Sequence, residues 1–416
     1  MPADGIVTEL LNLIQGELSG STGEDLSSKE QRALAIGRVA AELSLAEMLE
    51  SEVAEPVSIG CECGESAKSK ERESRTVVTL AGTHRINRRK YVCSSCGRWS
   101  VPRDVSLGIG RGNYSVGVIA LTSEVAAGFP FESAEDFLAR RFGLDLCYKQ
   151  VQRLAERTGE ELAYQEKLLA EDAVAQRVRV ISDECPERLV ISCDGLMVNV
   201  DGGWHEMKTG SIMSEYGRST IATMERAEGF GRLLFAEASR RGLEQAGGII
   251  FLADGAAWIW NLAVYHFPGV VEIVDWYHAT QRLWEIANAW HGDGSRKAKN
   301  WVRRNEARLM EDGIERVTAS IRQWQPVDTE SERIKREDLH YFSTNSKRMR
   351  YATFKERGYP IGSGSVESAC KQYGQGRLKQ PGMRWKEPGI EAVAFLRSAM
   401  LNRRSKDILQ AARKVA

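Results

Sequence analysis

The pattern of apolar positions changes period several times along the chain, and each change marks a region. Residues 5–18 and 27–52 carry apolar side chains at helical spacing, among them Leu34, Ile36, Val39, Ala40, Leu43 and Leu45, around a Gly/Ser/Thr break at 19–23. After Pro56, TVVTL and INRRKYVC read as short strands between turn signals. Residues 115–165 return to helical period, with two helices about a turn at Phe142, Gly143 and Leu144. Ser133 is the expected N-cap of the first, and Gly143 can end it in a left-handed conformation. This is the outline of a helix-turn-helix.

From 188 onward the period is that of strands. RLVISCDGLMVNV, WHEMKTGSIM and STIATME are separated by glycine-containing turns. A helix over FGRLLFAEASRRGLEQAGG, the apolar run IIFLADG, the helix AAWIWNLAVYHF and the run VVEIVDWYH follow. Three strands followed by alternating helix and apolar run predict a mixed sheet covered by helices, an α/β domain of three layers. Residues 279–350 read as helical and charged, and no internal repeat appears.

Composition adjusts this picture in three ways. At 416 residues the chain exceeds a usual single core, so two or three domains are expected. No apolar run approaches the roughly 20 residues of a membrane span, and the N-terminus lacks the basic start of a secretory signal, so the expected location is cytoplasmic. The formal net charge of zero hides an asymmetry: residues 1–56 hold eleven Asp/Glu against three Lys/Arg, and residues 340–416 hold sixteen Lys/Arg against five Asp/Glu. A basic end of that size can neutralise several phosphates, though a solvated helical face has the same composition.

Candidate chemistry lies in two places. Cys61, Cys63, Cys93 and Cys96 cluster, whereas Cys147, Cys185, Cys193 and Cys370 are scattered, a pattern that suggests metal binding rather than disulfides. Cys93-Ser-Ser-Cys96-Gly97 has the spacing of a zinc knuckle; Cys61-Glu-Cys63 has one residue fewer, which leaves a metal-free ribbon as the alternative. His84 is either a substitute ligand or a surface histidine. The second place is carboxylates inside apolar strands, where an acid is disfavoured unless paired or metal-bound. Asp194 sits mid-strand in ISCDG, and Asp254 ends FLADG, where it can also serve as a helix cap. Neighbouring strands would let the two converge, and Glu367, in the first turns of a helix started by PIGSGSVES with its Ser cap, would supply a third oxygen ligand. Such a set selects Mg²⁺ or Mn²⁺ over zinc. Asp275 and His278 stand two residues apart at a strand-to-helix junction, as a structural pair, a ligand pair or a base with its orienter.

Phosphate and base contacts are expected from Lys149, Gln152, Arg153 and Arg157 on the second helix of the helix-turn-helix, and from Lys371, Arg377, Lys379 and Arg384 after Glu367. Pro381 and Gly382 should turn the latter segment from helix into a basic loop ending at Trp385, which either packs in a core or stacks on an unpaired base.

Taken in order, ISCDG, FLADGAAWIWNLAVYHFPG, IVDWYHATQRLWEIA and PIGSGSVESACKQYGQGRLKQPGMRW resemble the DDE transposases of bacterial insertion sequences of the ISKra type, over residues 57–405. That family is similar to the Mutator-like transposases. The resemblance implies a ribonuclease H-like catalytic domain over 186–278 and 351–405, interrupted by a helical insertion at 279–350. It also implies a zinc ribbon-like module at 57–110 and a helix-turn-helix region at 111–170, behind an acidic helical segment at 1–56. Asp194, Asp254 and Glu367 match the three catalytic acids; Asp275 and His278 match the C/D-x-x-H motif. The implied partners are double-stranded DNA, at the element's terminal inverted repeats and at the target, and further copies of the chain. Two other readings stay open: a DNA-binding regulator whose carboxylates are structural, and a nuclease of the same fold that does not transpose.

Overall fold

The computed structural model describes residues 8, 11–12, 14–16, 25–50, 56–110, 112–362 and 364–416. The chain divides into two compact units, one formed by residues 1–158 with 405–416 and the other by 159–404. Most of the helix expected at 5–18 lies outside the described residues. No helix among them is long and apolar enough to cross a membrane.

The first unit begins with helix α1 (Leu26–Glu50), capped by Asp25, whose carboxylate accepts the Ser28 amide at 2.8 Å. No side chain of α1 is buried: Leu34 is 65% and Met48 64% exposed, so its apolar positions do not mark a core face. An antiparallel sheet follows, ordered β1 (Ser58–Gly60), β2 (Ser66–Thr79), β3 (Gly82–Cys93) and β4 (Trp99–Ser100). The strands expected at TVVTL and INRRKYVC are parts of the β2–β3 hairpin, which is far longer because pairing continues through the charged SAKSKERESR. Arg75 and Arg88 both reach Asp104, on the short helix α2 (Pro102–Ser106), and Arg88 reaches Glu73 at 3.3 Å. Backbone pairing supports the hairpin where alternation of apolar residues gives no signal.

Helices α3 (Val116–Gly128), α4 (Phe131–Phe142) and α5 (Tyr148–Val174) follow. Gly143 caps α4 in the left-handed region, as its sequence position suggests. Ser133 is not the N-cap: Pro130 holds that place and Ser133 lies within the first turn, because Pro130 in an extended conformation starts the helix three residues earlier. The unit is closed by the last helix of the chain (Ser405–Val415), whose Ile408, Ala411 and Ala412 are buried.

The second unit holds a five-stranded sheet in which, counted in chain order, the strands lie third, second, first, fourth and fifth. β5 (Leu189–Val200), β6 (Gly203–Ser214) and β7 (Gly217–Thr223) form an antiparallel meander, while β8 (Ile249–Ala253) and β9 (Val271–Val274) run parallel to β5. Helix α6 (Ala227–Arg240) leads from β7 towards β8, and α7 (Ala257–His266) makes the crossover from β8 to β9. Leu189 to Cys193 are buried without alternation, as a central strand covered on both faces requires.

The helices α8 (Trp276–His291), α9 (Arg296–Met310), α10 (Ile314–Arg322) and α11 (Thr329–Thr344) come between β9 and the short helix α12 (Tyr351–Glu356). They are held partly by Trp290, whose ring centroid lies 6.0 Å from those of Trp301 and Trp324. Helices α13 (Gly364–Tyr373) and α14 (Glu387–Leu401) complete the unit. Thr209 on β6 reaches Cys370 of α13 at 3.0 Å, while its neighbour Gly210 lies under Leu234 and Phe230 of α6. Successive strand residues point to opposite faces, so α13 and α6 cover opposite sides of the sheet, giving three layers.

Gly159 of α5 is a point of close backbone approach, since a Cβ there would stand 2.3 Å from the Ala392 carbonyl oxygen of α14. Gly159→Ala is expected to cost about 1–3 kcal/mol in urea unfolding, whereas Gly248→Ala, where nothing lies within 4 Å, should leave the unfolding midpoint nearly unchanged.

Candidate functional site

Two sites emerge, one in each unit. In the first, β1 turns into β2 through Cys61 and Cys63, and β3 turns into β4 through Cys93 and Cys96. Each turn closes on a glycine amide: Gly64 donates to the Cys61 carbonyl at 2.9 Å and Gly97 to the Cys93 carbonyl at 2.9 Å. Backbone pairing of β2 with β3 brings Ala67 opposite Cys93, so the two turns meet at one end of the hairpin. The four sulfurs lie within 4.8 Å of one another, with Cys61–Cys96 and Cys63–Cys93 both at 3.6 Å, and none is in a disulfide. The shorter Cys61–Cys63 spacing therefore does not prevent four thiols from converging, and these cysteines could hold a metal such as zinc. The Cys96 amide, aided by that of Ser95, draws the Cys93 thiol down, whereas against the Cys63 amide the neighbouring thiols and burial push the Cys61 thiol up. His84 is no substitute ligand: it is buried near the other end of the hairpin, opposite Val77, and its Nε2 lies 2.9 Å from the Ala81 carbonyl.

In the second unit, Cys193 on β5 pairs with Ala253 on β8, which pairs with Val274 on β9. The residue after each is an aspartate: Asp194, Asp254 and Asp275. A row of carboxylates thus stands where the two parallel strands β8 and β9 end. Asp275 is fully buried and caps α8, its carboxylate accepting the His278 amide at 3.0 Å. Asp254 accepts the Ala256 amide at 2.8 Å, the helix-start bond that its sequence position suggests, yet it remains half-buried. Asp194 accepts the Gly195 amide at 2.7 Å with one oxygen and the Cys370 thiol at 3.5 Å with the other. Burial pushes the Asp194 carboxyl above its ordinary value; the Gly195 amide, the Cys370 thiol and His278 pull it down, while the charge of Asp254 pushes it further up.

Glu367 reaches the same place from α13. Val366, Ala369 and Tyr373 bury one face of that helix, and Arg218 of β7 fixes it through the Ser365 carbonyl and the Gln372 side chain at 3.4 and 3.1 Å. The opposite stripe, Glu367, Cys370, Lys371 and Gly374, falls at i, i+3, i+4 and i+7 and lines a cavity of about 440 Å³ together with Asp194. Ser363, where the helix's expected serine cap falls, lies outside the described residues. The three acids are not drawn together as closely as the thiols: among the described residues, only the cysteines form a cluster with all ligand atoms within 4.8 Å.

Of the expected phosphate contacts, Lys371 and Lys379 are exposed and line the cavity, and Arg384 is exposed nearby. Arg377 is not available. It is fully buried, its guanidinium 5.0 Å from the centre of the Trp385 ring, and burial pushes it down to about 10. The cause is a π-helical turn over Gly374–Leu378 that rotates Arg377 inward before the chain leaves the helix. Trp385 is itself buried, its indole donating to the Leu378 carbonyl at 2.9 Å, so its role is packing. On α5, Lys149 and Arg153 are exposed; Gln152 is bonded to Glu156 at 2.8 Å, and Arg157 donates to the Val415 carbonyl at 2.8 Å.

Sequence reasoning missed two residues at the carboxylates. Cys370 lies one turn after Glu367, a spacing that could have flagged it. Tyr341 of α11 donates its hydroxyl to the Asp254 carbonyl at 2.7 Å, and Gly255 leaves room for its ring, 2.5 Å from where a Cβ would stand. Nothing in its local pattern announces this long-range contact. Arg282 covers the Tyr341 ring at 5.3 Å and pairs with the buried Asp338 at 3.3 Å.

Burial pushes the Asp338 carboxyl from its ordinary 3.8 up to about 7, against the pull of Arg282. The folded chain then holds a proton that the unfolded chain loses, so this group's contribution is full below about pH 4 and is lost as pH rises through 7. Urea midpoints should accordingly show a stability decline between pH 4.5 and 7.5 that is smaller in Asp338→Asn. For the cysteines, metal analysis of the purified chain should find about one zinc per chain, lost in Cys93→Ser; a folded, metal-free protein would refute the assignment. No protein-family model and no curated protein sequence matches the chain.

Proposed function

We propose that the chain is a DDE transposase of the insertion-sequence type, with a ribonuclease H-like catalytic domain, a helical insertion, a zinc ribbon-like module and a helix-turn-helix. The observation that carries the reading is that Asp194 and Asp254 each follow a residue of the Cys193–Ala253 pair on adjacent parallel strands, with Glu367 lining the Asp194 cavity from a later helix. The strand order β7-β6-β5-β8-β9 and the helices between β9 and α13 are what such a domain requires.

The donor set fits Mg²⁺ or Mn²⁺: it is all oxygen, and Asp194 and Asp254 repel each other in a partly buried place that a cation would relieve. Asp194, Asp254 and Glu367 would hold the metal, which when bound activates a water or a 3′-hydroxyl and stabilises the leaving oxygen of a phosphodiester. The chain's own residues position the strand. Lys371 and Lys379 offset phosphate charge beside Glu367, Cys370 orients the Asp194 carboxylate by its thiol bond, and the cap at Asp275 fixes the start of the helix that carries His278. The reaction is hydrolysis at the element's ends followed by attack of the freed 3′-hydroxyl on target DNA. Lys149 and Arg153, exposed on α5, are suited to binding the terminal repeats, with Gln152 and Arg157 able to join once released from their internal bonds. Two ends handled together call for more than one copy of the chain.

The looser spacing of the three acids, compared with the thiols, favours one rival: a DNA-binding regulator whose carboxylates are structural. A plasmid carrying the element's ends separates the two. With Mg²⁺, the wild-type chain should nick and join it; Asp194→Asn, Asp254→Asn and Glu367→Gln should each lower the rate at least about a hundredfold and leave gel-shift affinity within about twofold. Absence of nicking by the wild type with binding intact would favour the regulator.

A further inference from the structure

A second cavity, of about 450 Å³, opens beside the first, and Lys379 lines both. Its walls come from the β5–β6 hairpin and from the loop after the π-helical turn. Asn199 and Trp204 are direct cross-strand partners, so their side chains rise from the same face of the hairpin. The loop contributes Leu378, Lys379, Pro381 and Arg384.

Three properties of this cavity bear on what it could hold. Trp204 is 59% exposed, as Trp99 of the other unit is at 67%, whereas Trp301, Trp324 and Trp385 are buried. The buried amide oxygen of Asn199 has no hydrogen-bond partner among the described residues, which is costly to maintain. The Lys379 ammonium stands 4.9 Å from the centre of the Trp204 ring, and Arg384 adds a second exposed cation. An aromatic face beside a recess and two cations at its rim match two parts of a nucleotide: a flat base and the phosphate joined to it through the sugar. The volume falls within the roughly 300–1,000 Å³ of small-molecule pockets.

We infer that this cavity binds an unpaired nucleobase of the strand whose phosphate lies at the Asp194–Glu367 cavity, with the base against Trp204. Lys379 spans the two cavities and holds the phosphate between them. The base must be unpaired, because a ring stacked in the duplex cannot enter a recess between hairpin and loop. The inference rests on the proposed function for the identity of the strand, but the pocket itself is open to a test that needs no catalysis.

The probe is a mixed-sequence single-stranded 12-mer with one central 2-aminopurine, titrated with the full-length, metal-loaded protein, alongside its blunt duplex. Wild type should quench the emission of the single strand by stacking and leave the paired 2-aminopurine unaffected. Trp204→Ala, at an exposed position, should abolish the quench and weaken single-strand binding at least about fivefold, and Trp204→Phe should restore both. Lys379→Ala should weaken binding and reduce the salt slope by about one, whereas Trp204→Ala should leave that slope unchanged. Equal quenching and affinity in wild type and Trp204→Ala would overturn the pocket. Nicking of the plasmid in Mg²⁺ without Trp204-dependent quenching would overturn the pocket alone. Trp204-dependent quenching without nicking would sustain the pocket and overturn the proposed activity.

Discussion

The parallel pairing of β5 with β8 is the constraint on which the second unit depends. Cys193 opposite Ala253 places Asp194 and Asp254 side by side, and a slip of one residue would send one carboxylate to the other face of the sheet. The long buried run of β5 makes such a slip costly, because it would expose apolar side chains that both helical layers cover. The same register continues to Val274, so Asp275 falls in the row and is used to start the helix that carries His278. Apolar packing thus fixes where the charges stand, and burial, with the nearby Asp254 charge, holds the Asp194 carboxyl above its ordinary value.

Much of this arrangement is legible in the sequence, since its signals are local. An aspartate within ISCDG and another closing FLADG violate strand chemistry, and the order of strands and helices suggests that they become neighbours. Cys93-Ser-Ser-Cys96-Gly97 carries its own turn. What cannot be read locally are contacts made across the chain. Arg377 reads as a surface cation because its neighbours are polar, yet a single widened helical turn points it at Trp385. Tyr341 reads as one more aromatic in a charged helix, and only the folded chain reveals that its hydroxyl reaches the Asp254 carbonyl. Helix α1 has the opposite history: its periodic apolar residues suggest a packed face, and the structure buries none of them.

The basic end of the chain illustrates why charge must be located before it is interpreted. Arg377 and Arg404 are taken up inside the second unit, the latter bonded to Glu166 at 3.0 Å, and neither contributes to the outer field as a free cation would. The cations that remain outside near Glu367, namely Lys371, Lys379 and Arg384, are fewer than the sequence count implies but are concentrated along two adjoining recesses. A small number of well-placed charges can act on phosphate more specifically than a diffuse basic tail, because each is tied to a particular wall.

The order in which the chain emerges during synthesis gives the late position of α13 a further meaning. All five strands of the sheet, and with them Asp194 and Asp254, precede α8–α11, while Glu367 follows them and Arg218 waits on β7 to anchor its helix. A nascent chain can therefore complete the sheet while still lacking the third acid, and the carboxylates gather only after the intervening helices have left the ribosome and folded. Glu367 joins Asp194 only after those helices have been made, so a chain stopped within them would carry Asp194 and Asp254 and lack Glu367.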